Sequence, residues 1–209
     1  MFEDINLPLI LIAAFVSTAS PGPATLAIAG ASMSAGRPYG LALAAGVTTG
    51  SWTWSIAAAL GLGAVMLANV WLFEMLRYFG ACYLLFLAYK SARSAFARSE
   101  IANRHIAIAS LQSAYGKGLA LHLANPKAIL FFGSLFAIGV PADASVFSLA
   151  IVIAAVGIQS LLVFLGYALL FSDPKMIARY EKTRRWIEAV FAIAFGAAGL
   201  RILTAKLEP

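Results

Sequence analysis

Residues 5–36 read INLPLILIAAFVSTASPGPATLAIAGASMSAG, 32 positions without a charged side chain and with Ser20-Pro21-Gly22-Pro23 in their middle. A helix needs about 20 mostly apolar residues to cross the roughly 30 Å hydrocarbon core of a bilayer. The run is long enough to span, and its break falls well inside the span. A proline removes a backbone donor and frees the carbonyl one turn back, and a neighbouring glycine lets the chain open further. Unwound backbone at that depth is tolerated only when it is buried in protein or lines an aqueous cavity.

The rest of the chain has the same character. Of its 209 residues 62% are hydrophobic and 11% charged, where a soluble domain carries about 25% charged residues. Mean hydropathy is +0.87. A water-soluble globule of this size cannot hide so much apolar surface, so this is an integral membrane protein. Met1-Phe2-Glu3-Asp4 places two acids and no cation ahead of the first run, which favours a retained segment over a cleaved signal peptide. Further apolar runs give expected spans at 5–34, 40–67, 70–90, 116–139, 146–171 and 187–205. Strand alternation is absent, so the expected fold is an all-α membrane bundle of six transmembrane helices, not a β-barrel.

Basic residues set the expected orientation. Arg37, the Lys90–Lys117 group and the Lys175–Arg185 group put eleven cations on one side, against Arg77, Arg201 and Lys206 on the other. The positive-inside rule assigns loops 91–115 and 172–186 to the cytoplasm and, with six spans, both termini to the outside. The net charge of +6 is explained by this orientation and implies no nucleic-acid partner.

A second break lies at Asn125-Pro126, and Pro126 follows Pro21 by half the chain length. Matched breaks in two three-span halves predict an inverted repeat within one transporter domain, 1–209: a first repeat over about 1–92, the loop, and a second repeat over about 116–209. Broken helices of this kind frame substrate sites near the membrane midplane.

The candidate substrate-binding residues cluster at the breaks: Ser20, Pro21, Gly22, Pro23 and Thr25 at the first, Asn125, Pro126 and Lys127 at the second, with Ser51 in the polar stripe of the second span. Lys127 is an intramembrane cation, a functional candidate by default, although snorkelling to the boundary is its alternative. His122, one turn before Asn125, is a candidate proton relay or a hydrogen-bonded packing residue. Ser17 and Thr18 can repair backbone bonds or meet a polar substrate. Gly46 and Gly50 form a GxxxG pair suited to close helix packing, and such surfaces permit a homodimer. Trp52 and Trp54 are candidates to line a cavity.

Enzymatic constellations are missing: there is no HExxH, P-loop, GxSxG or paired intramembrane carboxylate. The lone Cys82 forms no CxxC pair or disulfide within the chain. No metal or cofactor is expected, and the expected partners are a small molecule and lipid.

Four stretches resemble the LysE-type amino-acid exporters, particularly their homoserine/threonine branch. They are Ser20-Pro21-Gly22-Pro23 with Gly36-Arg37 and Gly40; Gly80-Ala81-Cys82-Tyr83-Leu84 ending in Lys90; Gly116 and Gly118 with Asn125-Pro126-Lys127-Ala128; and Phe195-Gly196 with Gly199-Leu200-Arg201. The resemblance implies a six-helix inner-membrane bundle and proton-driven efflux of amino acids. Two positions depart from the family pattern: Ala24 stands where an Asn is usual, and Ser51 where many members carry an acid after the second-span glycine. Neutral amino acids then fit better than cationic ones. The alternative is a non-transporting assembly partner or degenerate family member.

Overall fold

The computed structural model describes residues 5–68, 70–96, 109–141 and 144–204, and every regular element in them is helical. In chain order these are α1 (Leu7–Ala19), α2 (Pro23–Ser34), α3 (Arg37–Ala68), α4 (Val70–Phe96), α5 (Leu111–Leu123), α6 (Pro126–Gly139), α7 (Val146–Leu170) and α8 (Pro174–Thr204).

Both expected breaks are bends. α1 and α2 meet at 51°, and α5 meets α6 at 58°. Each pair is long and apolar enough to cross a membrane when its two halves are taken together, and α7 is so by itself. The stretches 40–67, 70–90 and 187–204 are helical, within α3, α4 and α8, each of which begins or ends beyond its expected span.

One expected loop is largely helical, and the other is helical at both of its described ends. The 172–186 segment shrinks to a turn at Phe171–Asp173, because Asp173 caps α8: its Oδ1 accepts from the Lys175 amide at 2.8 Å, and Pro174 begins the helix. Lys, Arg and Glu are good helix formers, so the charges that suggested a loop lie along an exposed helix. The 91–115 segment is shortened from both ends. α4 continues to Phe96, and Ser110 starts α5 by accepting from the Ser113 amide at 3.1 Å. Residues 97–108, with Arg98 and Arg104, lie outside the described residues.

Between α2 and α3 the chain reverses at Gly36, whose φ of 96° suits a residue without Cβ. α3 then crosses α5 at backbone contact. A Cβ on Gly46 would overlap the carbonyl of Tyr115, and one on Gly118 would overlap the carbonyl of Leu43. The Gly46/Gly50 pair thus serves packing, as its spacing suggested, but inside the chain. A homodimer would need another surface.

Small residues bring the helices close enough for van der Waals packing, the main attraction between helices in lipid. One apolar cluster joins Ile10 and Ala14 of α1 to Phe132 and Phe136 of α6 and Val152 and Val156 of α7. Another joins Ile28 of α2 to Leu43 and Val47 of α3 and Phe164 of α7. Outward-facing Ile12, Phe15, Leu60, Trp71, Leu162 and Ile193 stay exposed. That is the surface of a helical membrane protein, for which lipid is the solvent.

Candidate functional site

The first break can be followed carbonyl by carbonyl. In an unbroken helix the Ser17 carbonyl would pair with nitrogen 21 and the Ala19 carbonyl with nitrogen 23. Both nitrogens belong to prolines and carry no hydrogen. Side chains take their place: Ser20 Oγ donates to the Ser17 carbonyl at 2.8 Å, and Tyr167 Oη of α7 donates to the Ala19 carbonyl at 2.6 Å. The Gly22 amide, lost to the ladder, donates to Thr25 Oγ1 at 2.9 Å. Carbonyls left unpaired in an apolar interior are costly, so these contacts are what make the break tenable.

The second break supplies the remaining donor. Asn125 caps α6, its Oδ1 accepting from the Lys127 amide at 3.1 Å. That cap and the Pro126 turn aim the Lys127 side chain at the first break. Its ammonium donates to the Ser20 carbonyl at 3.2 Å and is in hydrogen-bond contact with Ser20 Oγ. The Phe195 ring of α8 lies under it, 5.7 Å from ring centre to Nζ. Lys127 is only 8% exposed; it does not snorkel to a boundary. The two breaks are joined by one cation.

A small pocket opens beside this junction. Of the residues singled out from the sequence, Ser17, Thr18, Ser20, Gly22, Thr25, Ser51, His122, Asn125 and Lys127 line it. Pro21 and Pro23 do not line it; they act by the donors they lack. The Pro126 side chain lies outside the described residues, while its backbone opens α6. Across the pocket, Ser51 Oγ meets His122 Nε2 at 3.1 Å. His122 Nδ1 is buried without a hydrogen-bond partner. The candidate relay therefore touches the position where the resemblance leads one to look for an acid. Gly50 makes room for it, since a Cβ there would lie 2.9 Å from the His122 Cβ.

Neighbouring hydroxyls of α3 do not line the pocket. Thr48 Oγ1 and Thr53 Oγ1 bond back to the carbonyls of Ala44 and Thr49, four residues earlier. The tryptophans do not line this pocket: Trp52 fills the space left by Gly157 of α7, and Trp54 packs beside the α1–α6–α7 cluster. Three contributors went unread in the sequence. Phe164 forms a pocket wall, Tyr167 repairs the first break, and Phe195 supports Lys127. Glu188, expected near a span end, is 3% exposed and accepts from Ser94 Oγ at 2.7 Å, outside the pocket lining.

Paired helix breaks around a polar pocket, in a helical membrane protein, define a transporter and not an enzyme. The chain belongs to the LysE type translocator family, whose model matches residues 15–206. It is 28% identical over 193 residues to the threonine efflux protein of Salmonella typhi, covering 91% of this chain and 94% of that one. To the threonine efflux protein of Escherichia coli (strain K12) it is 28% identical over 199 residues, with the same coverage. It is also 30% identical over 184 residues to the leucine efflux protein of Enterobacter sp. (strain 638), covering 88% of this chain and 86% of that one. No solved structure matches the chain.

Proposed function

We propose that this protein is a secondary exporter of neutral amino acids across the inner membrane, driven by the proton gradient. The observation that carries the proposal is the Lys127–Ser20 junction, which brings the two helix breaks to one polar pocket. The family membership and the named activities of the threonine and leucine efflux relatives support the substrate class. Neutral cargo is favoured because no carboxylate lines the pocket among the described residues. A second cation there would be repelled by Lys127.

The bundle crosses the membrane six times in this proposal, with α1–α2 and α5–α6 as broken spans and α3, α4, α7 and α8 as whole ones. The halves α1–α4 and α5–α8 are inverted repeats. Their similarity in build supports this: α1 and α5 are each 13 residues long, and each is followed by a break, a second short helix and two long ones. The basic segments after α4 and at the start of α8 face the cytoplasm, and both termini face outward. Substrate contacts the residues of the two breaks and Ser51, while His122 passes the coupling proton.

Proteoliposomes loaded with a mixture of amino acids test this. Under an acid-outside gradient, neutral amino acids should leave and lysine and arginine should stay. Retention of every amino acid, with and without the gradient, would return the protein to the non-transporting alternative.

A further inference from the structure

The Lys127 ammonium, in the wall of the pocket, is seated on acceptors. A backbone carbonyl, a hydroxyl oxygen and an aromatic face surround it: the carbonyl and hydroxyl of Ser20, and the ring of Phe195. Each is a group that recognises a cation, and the one hydroxyl hydrogen among them is already donated to the Ser17 carbonyl, which leaves no donor there for a carboxylate. Gly22 flanks the Lys127 side chain, where a Cβ would stand in ordinary contact at 3.4 Å from Nζ and 3.5 Å from Cδ. The Lys127 stem is long and flexible, so the head can leave while α6 stays in place.

We propose that Ser20 and Phe195 form the subsite for the α-ammonium of the substrate, and that Lys127 occupies it as a tethered surrogate until a substrate displaces it. The inference rests on the amino-acid export proposed above and deepens it. An arriving zwitterion places its ammonium on the Ser20 carbonyl and hydroxyl, over the Phe195 ring. Its carboxylate then receives the released Lys127 ammonium. One cation replaces another on the same acceptors, and the substrate's own anion balances the one displaced. A pocket built this way handles a zwitterion without a carboxylate in its wall. It also rejects simple amines, which bring no anion to accept the displaced lysine.

Replacing Lys127 by Met empties the subsite while keeping a side chain of similar reach. The probe is n-propylammonium, compared with propionate and 1-propanol, read as the thermal unfolding midpoint of the detergent-solubilised protein. Propylammonium should raise the midpoint of Lys127→Met in a concentration-dependent way and leave the wild type unmoved. The other two probes should move neither. No shift of the variant with propylammonium, or an equal shift with 1-propanol, would overturn the subsite. Should Lys127→Met fail to fold, Phe195→Leu in the otherwise unchanged protein carries the test. The half-saturating concentration of the exported amino acid should rise between about two- and tenfold, the range of a partly desolvated cation–π contact. Inhibition by the same acid lacking its amino group should not change. Equal weakening of both would overturn the proposal. Absence of wild-type flux would instead defeat the export proposal, since the propylammonium measurement needs no transport.

Discussion

The ammonium of Lys127, on the first turn of α6, donates to the backbone carbonyl of Ser20, 107 residues earlier in the chain. The contact exists because two local events, one at each break, coincide in space. At the first break, the bend after α1 takes the Ser20 carbonyl out of the helical ladder. At the second, Asn125 and Pro126 start a new helix whose second residue is a lysine. An intramembrane ammonium costs several kcal/mol unless it is paired or solvated, and an unpaired buried carbonyl is costly too. Joining them removes both penalties and fixes the two breaks to each other.

The α3–α5 crossing should tolerate no side chain at its closest approach. Gly118→Ala pushes a methyl into the Leu43 carbonyl, so a loss of about 1–3 kcal/mol and a lower unfolding midpoint are expected. Gly116, two residues away with open space around it, serves as the control. Gly116→Ala should be neutral or stabilise by up to about 1 kcal/mol. Equal midpoints for the two variants would mean that the crossing is looser than described.

Tyr167→Phe deletes the donor to the Ala19 carbonyl and leaves that carbonyl buried without a partner. About 1–3 kcal/mol of stability should be lost. Export should fall as well, because the break that presents Ser20 is no longer held from α7. A variant with unchanged midpoint and unchanged flux would show that the first break is secured by other means.

His122→Gln tests the proposed route of the proton. Glutamine can still bond Ser51 across the pocket but cannot carry a proton as imidazole does. Exchange of substrate across the vesicle membrane at equal pH should continue. The acceleration of efflux by an acid exterior should vanish. Persistence of that acceleration would move the coupling to another group.

Much of the fold was legible because its decisive events are backbone events. Pro21 and Pro23 lack hydrogens wherever they sit, so the freed carbonyls of Ser17 and Ala19 follow from the sequence alone. The same holds for the Asn125-Pro126 turn and for the close packing at Gly46 and Gly50. What repairs those defects was not legible. Tyr167 is one among 7 tyrosines and nothing local marks it, and the stretch around Phe195, though it carries part of the resemblance, gives no sign that its ring meets Lys127. The pairing of Ser51 with His122 spans 71 residues and depends on how α3 lies on α5. The basic segment at 172–186 misled for a different reason: charge density resembles a loop, yet those residues are good helix formers behind an aspartate cap.

The central claim is that the two breaks act as one transport site. Efflux of threonine and leucine from proteoliposomes, compared at equal protein between wild type and Asn125→Ala, tests it most directly. The substitution removes the cap that aims Lys127 and costs about 1 kcal/mol of helix stability, so the variant should still fold and insert. Export by the wild type and its loss in the folded variant is the predicted result. Equal efflux from both would contradict the claim.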